Sequence, residues 1–311
     1  LFAMSNSASN RNIGLTRATF IGIAAIVGGG IFVLGGVAIK ASGPGAILAF
    51  ALNGFIAFLT ALSFAEMSSA FPQSGGPYTY AKRILSVRAA FLMGWILILA
   101  HIVACLLYAL GFAAYTQAAM IDIVQTRLHY VLPDFFKTHQ MLVVMASLPT
   151  LFYTTTLIRS PMGQGNNANY IKLVIFCSLI VCGIVSLLSN ADPISFTTNR
   201  LTPFFPFGMS GVFAAMGFTF IALQGFDLVA AVAGEIKTPE RTIPRAMLFS
   251  LSIALLIYIP MLFIAMTAGV NEGQTAVSLC ELSPETCFAD AARVYMGECG
   301  YWLVIIAAFF S

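Results

Sequence analysis

The chain has 311 residues, of which 59% are hydrophobic and 9% charged, with a formal net charge of +3 and a mean hydropathy of +0.91. Soluble domains carry about 25% charged residues, so these values exclude a soluble globular protein and place the chain in a membrane. No polar stretch is long enough to bury a catalytic core of its own. Residues 1–17 are polar and read as a cytoplasmic N-terminal tail, with Met4 as the expected start and Leu1–Ala3 as upstream translation. The first apolar run, 18–40, is too long for the core of a cleavable signal. Further runs lie at 46–70, 89–120, 140–158, 170–189, 209–234 and 246–269. Each is at or near the roughly 20 residues that a spanning helix requires. An eighth run begins at Tyr301 and reaches Ser311, too short to cross. The sequence is therefore expected to end inside a helix, as a fragment of a longer protein, with 18–311 forming one transmembrane domain.

Orientation follows from the basic residues. With the N-terminus in the cytoplasm, the inner segments hold Arg11, Arg17, Lys82, Arg83, Arg88, Arg159, Lys237, Arg241 and Arg245. The outer ones hold the smaller set Lys40, Arg127, Lys137, Arg200 and Arg293. The positive-inside rule then predicts a cytoplasmic N-terminus. Basic stripes interleaved with aromatics are missing, so nucleic acid is not an expected partner. The sequence also lacks HExxH, GxSxG, GxxxxGK[ST] and any cysteine set spaced for a metal; neither an enzyme, a cofactor nor a metal is expected. Cys105, Cys177 and Cys182 fall in apolar spans, where packing is their expected role. Cys280, Cys287 and Cys299 fall in the 270–300 loop, and spacing alone leaves a Cys280–Cys287 disulfide open.

The first span contains an anomaly. "AAIVGGGIFVLGG" (24–36) sets three consecutive glycines inside an apolar run. Each costs roughly 1 kcal/mol against alanine in a helix, so a break is predicted there. Non-helical backbone at membrane depth persists only where protein buries it or where it lines a polar cavity. Span six repeats the oddity, with Gln224, Gly225 and Asp227 inside "GFTFIALQGFDLVA" (217–230). Two interrupted spans, five apart, predict an inverted-repeat transporter with five helices per repeat and a binding site at the breaks. A half-helix N-terminus offers free N–H groups to a carboxylate, and freed carbonyls accept from an ammonium. Together they describe the backbone of an α-amino acid. The competing reading of Gly28–Gly30 is a close helix-packing face.

Three stretches carry a resemblance. "GIAAIVGGGIFVLGG", "FAEMSSAFPQSGGPYTYAKR" and "GFDLVAAVAGEIKTPERTIPRA" together resemble the amino acid–polyamine–organocation permeases, the last looking most like the branch of cationic amino acid transporters and their bacterial relatives. The resemblance runs from Ile13 onward. It implies an all-α polytopic membrane protein with the leucine-transporter-like five-plus-five inverted-repeat fold, broken helices 1 and 6, and alternating access, here truncated in helix 8. It implies proton-coupled amino acid transport, with an exchanger, a sensor or a channel as alternatives. Amino acid, proton and lipid bilayer are the implied partners, and a bacterial cytoplasmic membrane the implied location. The substrate carboxylate is expected at Gly28, Gly29 and Gly30, and its amino group near Ile221, Ala222 and Gln224, with the Ile26 carbonyl nearby. Gln224 departs from the apolar residue expected there, and Gly29 from the small polar residue or alanine usual between the glycines. Lys172, in "NNANYIKLVIF", resembles a permease lysine standing where sodium-coupled relatives hold sodium. A low-dielectric site disfavours an ammonium ion, so a lysine there can gain and lose a proton; the alternative is a snorkelling boundary lysine. Asp227 and Glu66 are the carboxylates within spans, expected at a gate or in coupling. His101 reads as a hydrogen-bonded structural histidine.

Overall fold

The computed structural model describes residues 11–71, 75–131, 133–159, 166–281 and 283–310. Met4, Pro72 and Ser311 lie outside the described residues. In chain order the helices are α1 (Leu15–Ile26), α2 (Gly29–Ser42), α3 (Ala46–Ala70), α4 (Gly76–Ile84), α5 (Val87–Asp122), α6 (His139–Arg159) and α7 (Asn166–Leu188). They continue as α8 (Pro193–Leu201), α9 (Gly208–Thr219), α10 (Leu228–Ala231), α11 (Pro239–Met266), α12 (Ala276–Glu281) and α13 (Cys287–Phe309). Among the described residues the structure is all-helical apart from one parallel bridge, Ile13 to Ile236. Among the described residues five segments are long and apolar enough to cross a membrane: Gly29–Ala70, Val87–Gln125, Asn169–Leu188, Gly208–Ala231 and Pro239–Met266. On α5, Phe91, Leu92, Ile96, Leu99, Val103 and Leu106 are exposed. Water would penalise such a surface at about 25 cal/mol per Å²; lipid does not.

The chain divides into two compact units, the first comprising Leu1–Ile26, Gly54–Ala100 and Leu223–Ala254, the second Val27–Asn53, His101–Ala222 and Leu255–Ser311. The core of the first gathers Ala18, Tyr80, Val229, Ala230, Ile243 and Met247. Phe64 stands edge-on to both Tyr80 and Phe226, with ring centroids 6.0 Å apart in each pair. The segment preceding α1 is pinned in this unit, because Ile13 N–H donates to the Glu235 carbonyl and Lys237 N–H to the Ile13 carbonyl, both at 3.0 Å. The stretch "FAEMSSAFPQSGGPYTYAKR" carries all of α4 but its last residue, Ile84. Pro77 sits in the first turn of α4, where a missing N–H costs nothing.

In the second unit Phe32 of α2 is fully buried. It stacks on Phe176 of α7 at 4.9 Å and meets Tyr115 of α5 and Phe288 of α13 edge-on, each at 6.1 Å. Such pairs contribute about 0.5–1.5 kcal/mol each beyond area burial. Gly36 of the same helix approaches the Pro284 carbonyl so closely that a Cβ would collide with it. Gly36 is therefore a position of close main-chain approach, where only glycine fits. Cys280 and Cys287, left open by spacing, are joined in a disulfide.

The last helix differs from its sequence reading. The apolar run begins at Tyr301, whereas α13 begins at Cys287, with a non-helical residue at Gly297 (φ +65°, ψ −154°). Its first half reads as polar because Asp290, Arg293 and Glu298 punctuate it. In the structure Arg293 pairs with Asp122 at 2.6 Å and with Glu298 at 3.0 Å, and its guanidinium lies 3.8 Å from the centroid of the Tyr301 ring.

Candidate functional site

The residues singled out in the sequence fall into both units. In the second, Gly28 precedes α2 with extended backbone (φ −147°, ψ −163°) and no side chain caps the helix. The first N–H groups of α2 lack intrahelical acceptors, which leaves the positive end of its dipole open. Gly30 packs against Tyr108 of α5 and Ala222: a Cβ on Gly30 would lie 3.4 Å from the Tyr108 ring and 3.5 Å from the Ala222 Cα. The structure thus brings Gly30 and Ala222 together. Ala222 is fully buried within the 3₁₀ turn Phe220–Leu223 that follows α9, and Ile221 is half-buried beside it.

Three polar side chains of this unit serve the backbone at the breaks. Lys172 of α7 is only 3% exposed, and its ammonium donates to the Val27 carbonyl at 3.1 Å. Its amino group is thus held inside the protein, against a non-helical carbonyl. Among the described residues no carboxylate forms a salt bridge with it. The other two side chains were missed by sequence reasoning. The Tyr258 hydroxyl of α11, fully buried, donates to the Ala222 carbonyl at 3.4 Å. Asn53 of α3, 2% exposed, donates to the Met216 carbonyl and to the Thr219 hydroxyl, both at 2.8 Å. It satisfies α9 where the helix tightens and ends. A small cavity of about 50 Å³ adjoins Gly29, lined also by Val33, Tyr108, Phe112, Tyr115 and Ala308. Its lining holds no charged side chain, and among the described residues the buried Tyr115 hydroxyl has no hydrogen-bond partner.

In the first unit, Ile26 is buried at the last residue of α1 and Gln224 is half-buried. Gly225 adopts φ +131°, and a Cβ there would lie 2.8 Å from the carbonyl carbon of Ala25. This close approach between main chains requires glycine. Asp227 precedes α10, and its carbonyl accepts from Ala230 N–H at 2.9 Å while its side chain makes no capping bond. Glu66 lies exposed on α3. His101, in the second unit, is also exposed.

The sequence pattern of the amino acid permease family matches residues 17–288. The chain belongs to that family. Among its relatives is the branched-chain amino acid permease BcaP of Bacillus subtilis (strain 168), 30% identical over 252 residues, covering 80% of this chain and 53% of the relative. The methylthioribose transporter of the same organism is 30% identical over 264 residues, covering 83% and 56%. Cationic amino acid transporter 5 of Arabidopsis thaliana is 29% identical over 295 residues, covering 93% and 48%. The chain spans about half the length of these relatives. Membership in this permease family and the apolar helices together make it a multi-pass integral membrane protein.

Proposed function

We propose that the protein is a proton-coupled amino acid carrier working by alternating access on a leucine-transporter-like five-plus-five inverted repeat, with its N-terminus in the cytoplasm. The observation that carries this reading is the buried ammonium of Lys172 on the Val27 carbonyl, next to the uncapped start of α2. In the second unit the substrate carboxylate binds the N–H groups of Gly28, Gly29 and Gly30, where the helix dipole favours an anion. The substrate ammonium binds the carbonyls of Ile221 and Ala222; the bond from Tyr258 leaves Ala222 a second lone pair. Ile26 and Gln224 are the backbone candidates of the first unit, and Asp227 and Glu66 its gating or coupling carboxylates. Lys172 takes up and releases the coupled proton, a role open to a lysine in low-dielectric surroundings. The cavity beside Gly29 suits a short uncharged side chain, since Val33, Phe112 and Ala308 line it. Permease names among the relatives support an amino acid as cargo.

A channel is the rival use of broken helices. Channels favour rings of like polar groups, whereas the two breaks here are dissimilar. Counterflow separates the two. Vesicles preloaded with unlabelled amino acid are expected to take up labelled amino acid transiently above equilibrium, with saturation. Linear, non-saturating entry without overshoot would identify a channel.

A further inference from the structure

Away from the helix breaks, the second unit holds a cavity of about 480 Å³ between α8 and the segment 271–277. Both elements lie outside the five spanning segments. Its walls are ordered. Gly43, with φ +59°, ends α2, and a Cβ there would strike Pro206 at 2.6 Å and Val277 at 3.3 Å. Gln274 N–H donates to the Asn271 carbonyl at 3.2 Å, closing a turn. Thr275 N–H donates to the Ser278 hydroxyl at 3.0 Å and Ser278 N–H to the Thr275 hydroxyl at 3.2 Å, which fixes the start of α12.

Two charged side chains line this cavity, Arg200 and Glu272. The guanidinium of Arg200 lies 4.2 Å from the centroid of the Phe196 ring and donates to the Thr267 carbonyl at 3.2 Å. A guanidinium has five N–H donors in a fixed fork, so one such bond holds it in place and leaves donors for a carboxylate. The Glu272 charge reaches Arg200, yet among the described residues the two form no ion pair. Opposite charges that line one cavity and stand apart leave room for a molecule carrying both. Pro44, Pro206, Phe207 and Val277 add an apolar wall. A ligand with both charges on one carbon turns its side chain to that wall. We propose that this cavity binds an α-amino acid with a large apolar side chain, its carboxylate on Arg200 and its ammonium on Glu272. The assignment follows from the cavity's own side chains and does not depend on the transport reading.

L-Phenylalanine is the probe. Its ring is not the short side chain that suits the cavity beside Gly29, with which this cavity shares no residue. In the full-length protein, with every cysteine outside the Cys280–Cys287 disulfide changed to serine, Asn199→Cys puts a thiol on the exposed wall of the cavity. Labelling by a water-soluble maleimide in detergent is then timed against phenylalanine concentration. Saturable, several-fold slowing is expected. 3-Phenylpropionate and phenethylamine carry one charge each, and are expected to need at least roughly tenfold higher concentrations, as the loss of one charge-assisted hydrogen bond implies. Arg200→Gln and Glu272→Gln are each expected to weaken protection by phenylalanine to the same extent. Glu272 is exposed on its turn, so its variant keeps the fold whether or not Arg200→Gln does. No protection in the parent, equal protection by a singly charged analogue, or undiminished protection in Glu272→Gln would overturn the site. The readout needs neither uptake nor a proton gradient, so its failure is distinct from a failure of the carrier reading.

Discussion

Lys172→Ala is expected to abolish accumulation of substrate on a proton gradient while leaving exchange of bound substrate measurable. The ammonium is buried and bonded to the Val27 carbonyl, and alanine removes both the titratable group and that donor. Leaving a buried carbonyl without its partner costs about 1–3 kcal/mol, so some loss of stability accompanies the loss of coupling. Lys172→Met lacks that donor too but keeps most of the side-chain volume, so it removes the titratable group without also opening a cavity. The measurement is uptake into proteoliposomes with and without an inward proton gradient, alongside counterflow. Accumulation that persists in Lys172→Met, at the parent level and still dependent on the gradient, would remove Lys172 from the coupling step.

Gly225→Ala is expected to be the most damaging single methyl in the first unit. The residue combines φ +131° with a Cβ position 2.8 Å from the Ala25 carbonyl carbon and 2.9 Å from its oxygen. Backbone in this region costs a non-glycine residue about 1–3 kcal/mol, and the clash is with main chain, which cannot rotate away. A loss of about 3 kcal/mol or more follows, read as a fall in folded yield and in thermal midpoint in detergent. Gly30→Ala is the control, since its new methyl would meet Tyr108 and Ala222 at ordinary contact distance. That variant is expected to fold. A Gly225→Ala protein as stable as the parent would show that the turn after α9 relaxes freely.

The legible part of the molecule is the part fixed by local chemistry. All-helical membrane class follows from apolar runs, and the end of α1 at Ile26 follows from the cost of the glycines that come next. What escaped reading depends on distant partners. Tyr258 sits in "LLIYIPM" as an unremarkable apolar-run residue; its role appears only where the fold sets it against the Ala222 carbonyl. Asn53 reads as a stray polar residue in an apolar span until α9 brings the Met216 carbonyl and the Thr219 hydroxyl beside it. The start of α13 was hidden because hydropathy weighs Asp290, Arg293 and Glu298 as exposed, whereas Arg293 is paired with Asp122 and covered by Tyr301. Gly28 and Gly36 look alike in sequence, and only their neighbours separate an open helix start from a packing contact.

The most direct measurement of the central claim is uptake of a labelled amino acid panel by the full-length protein in liposomes, with and without an inward proton gradient. Gradient-dependent, saturable accumulation is expected, strongest for amino acids with short uncharged side chains. Gradient-independent exchange would contradict proton coupling, and failure to take up any member of the panel would contradict amino acid transport itself.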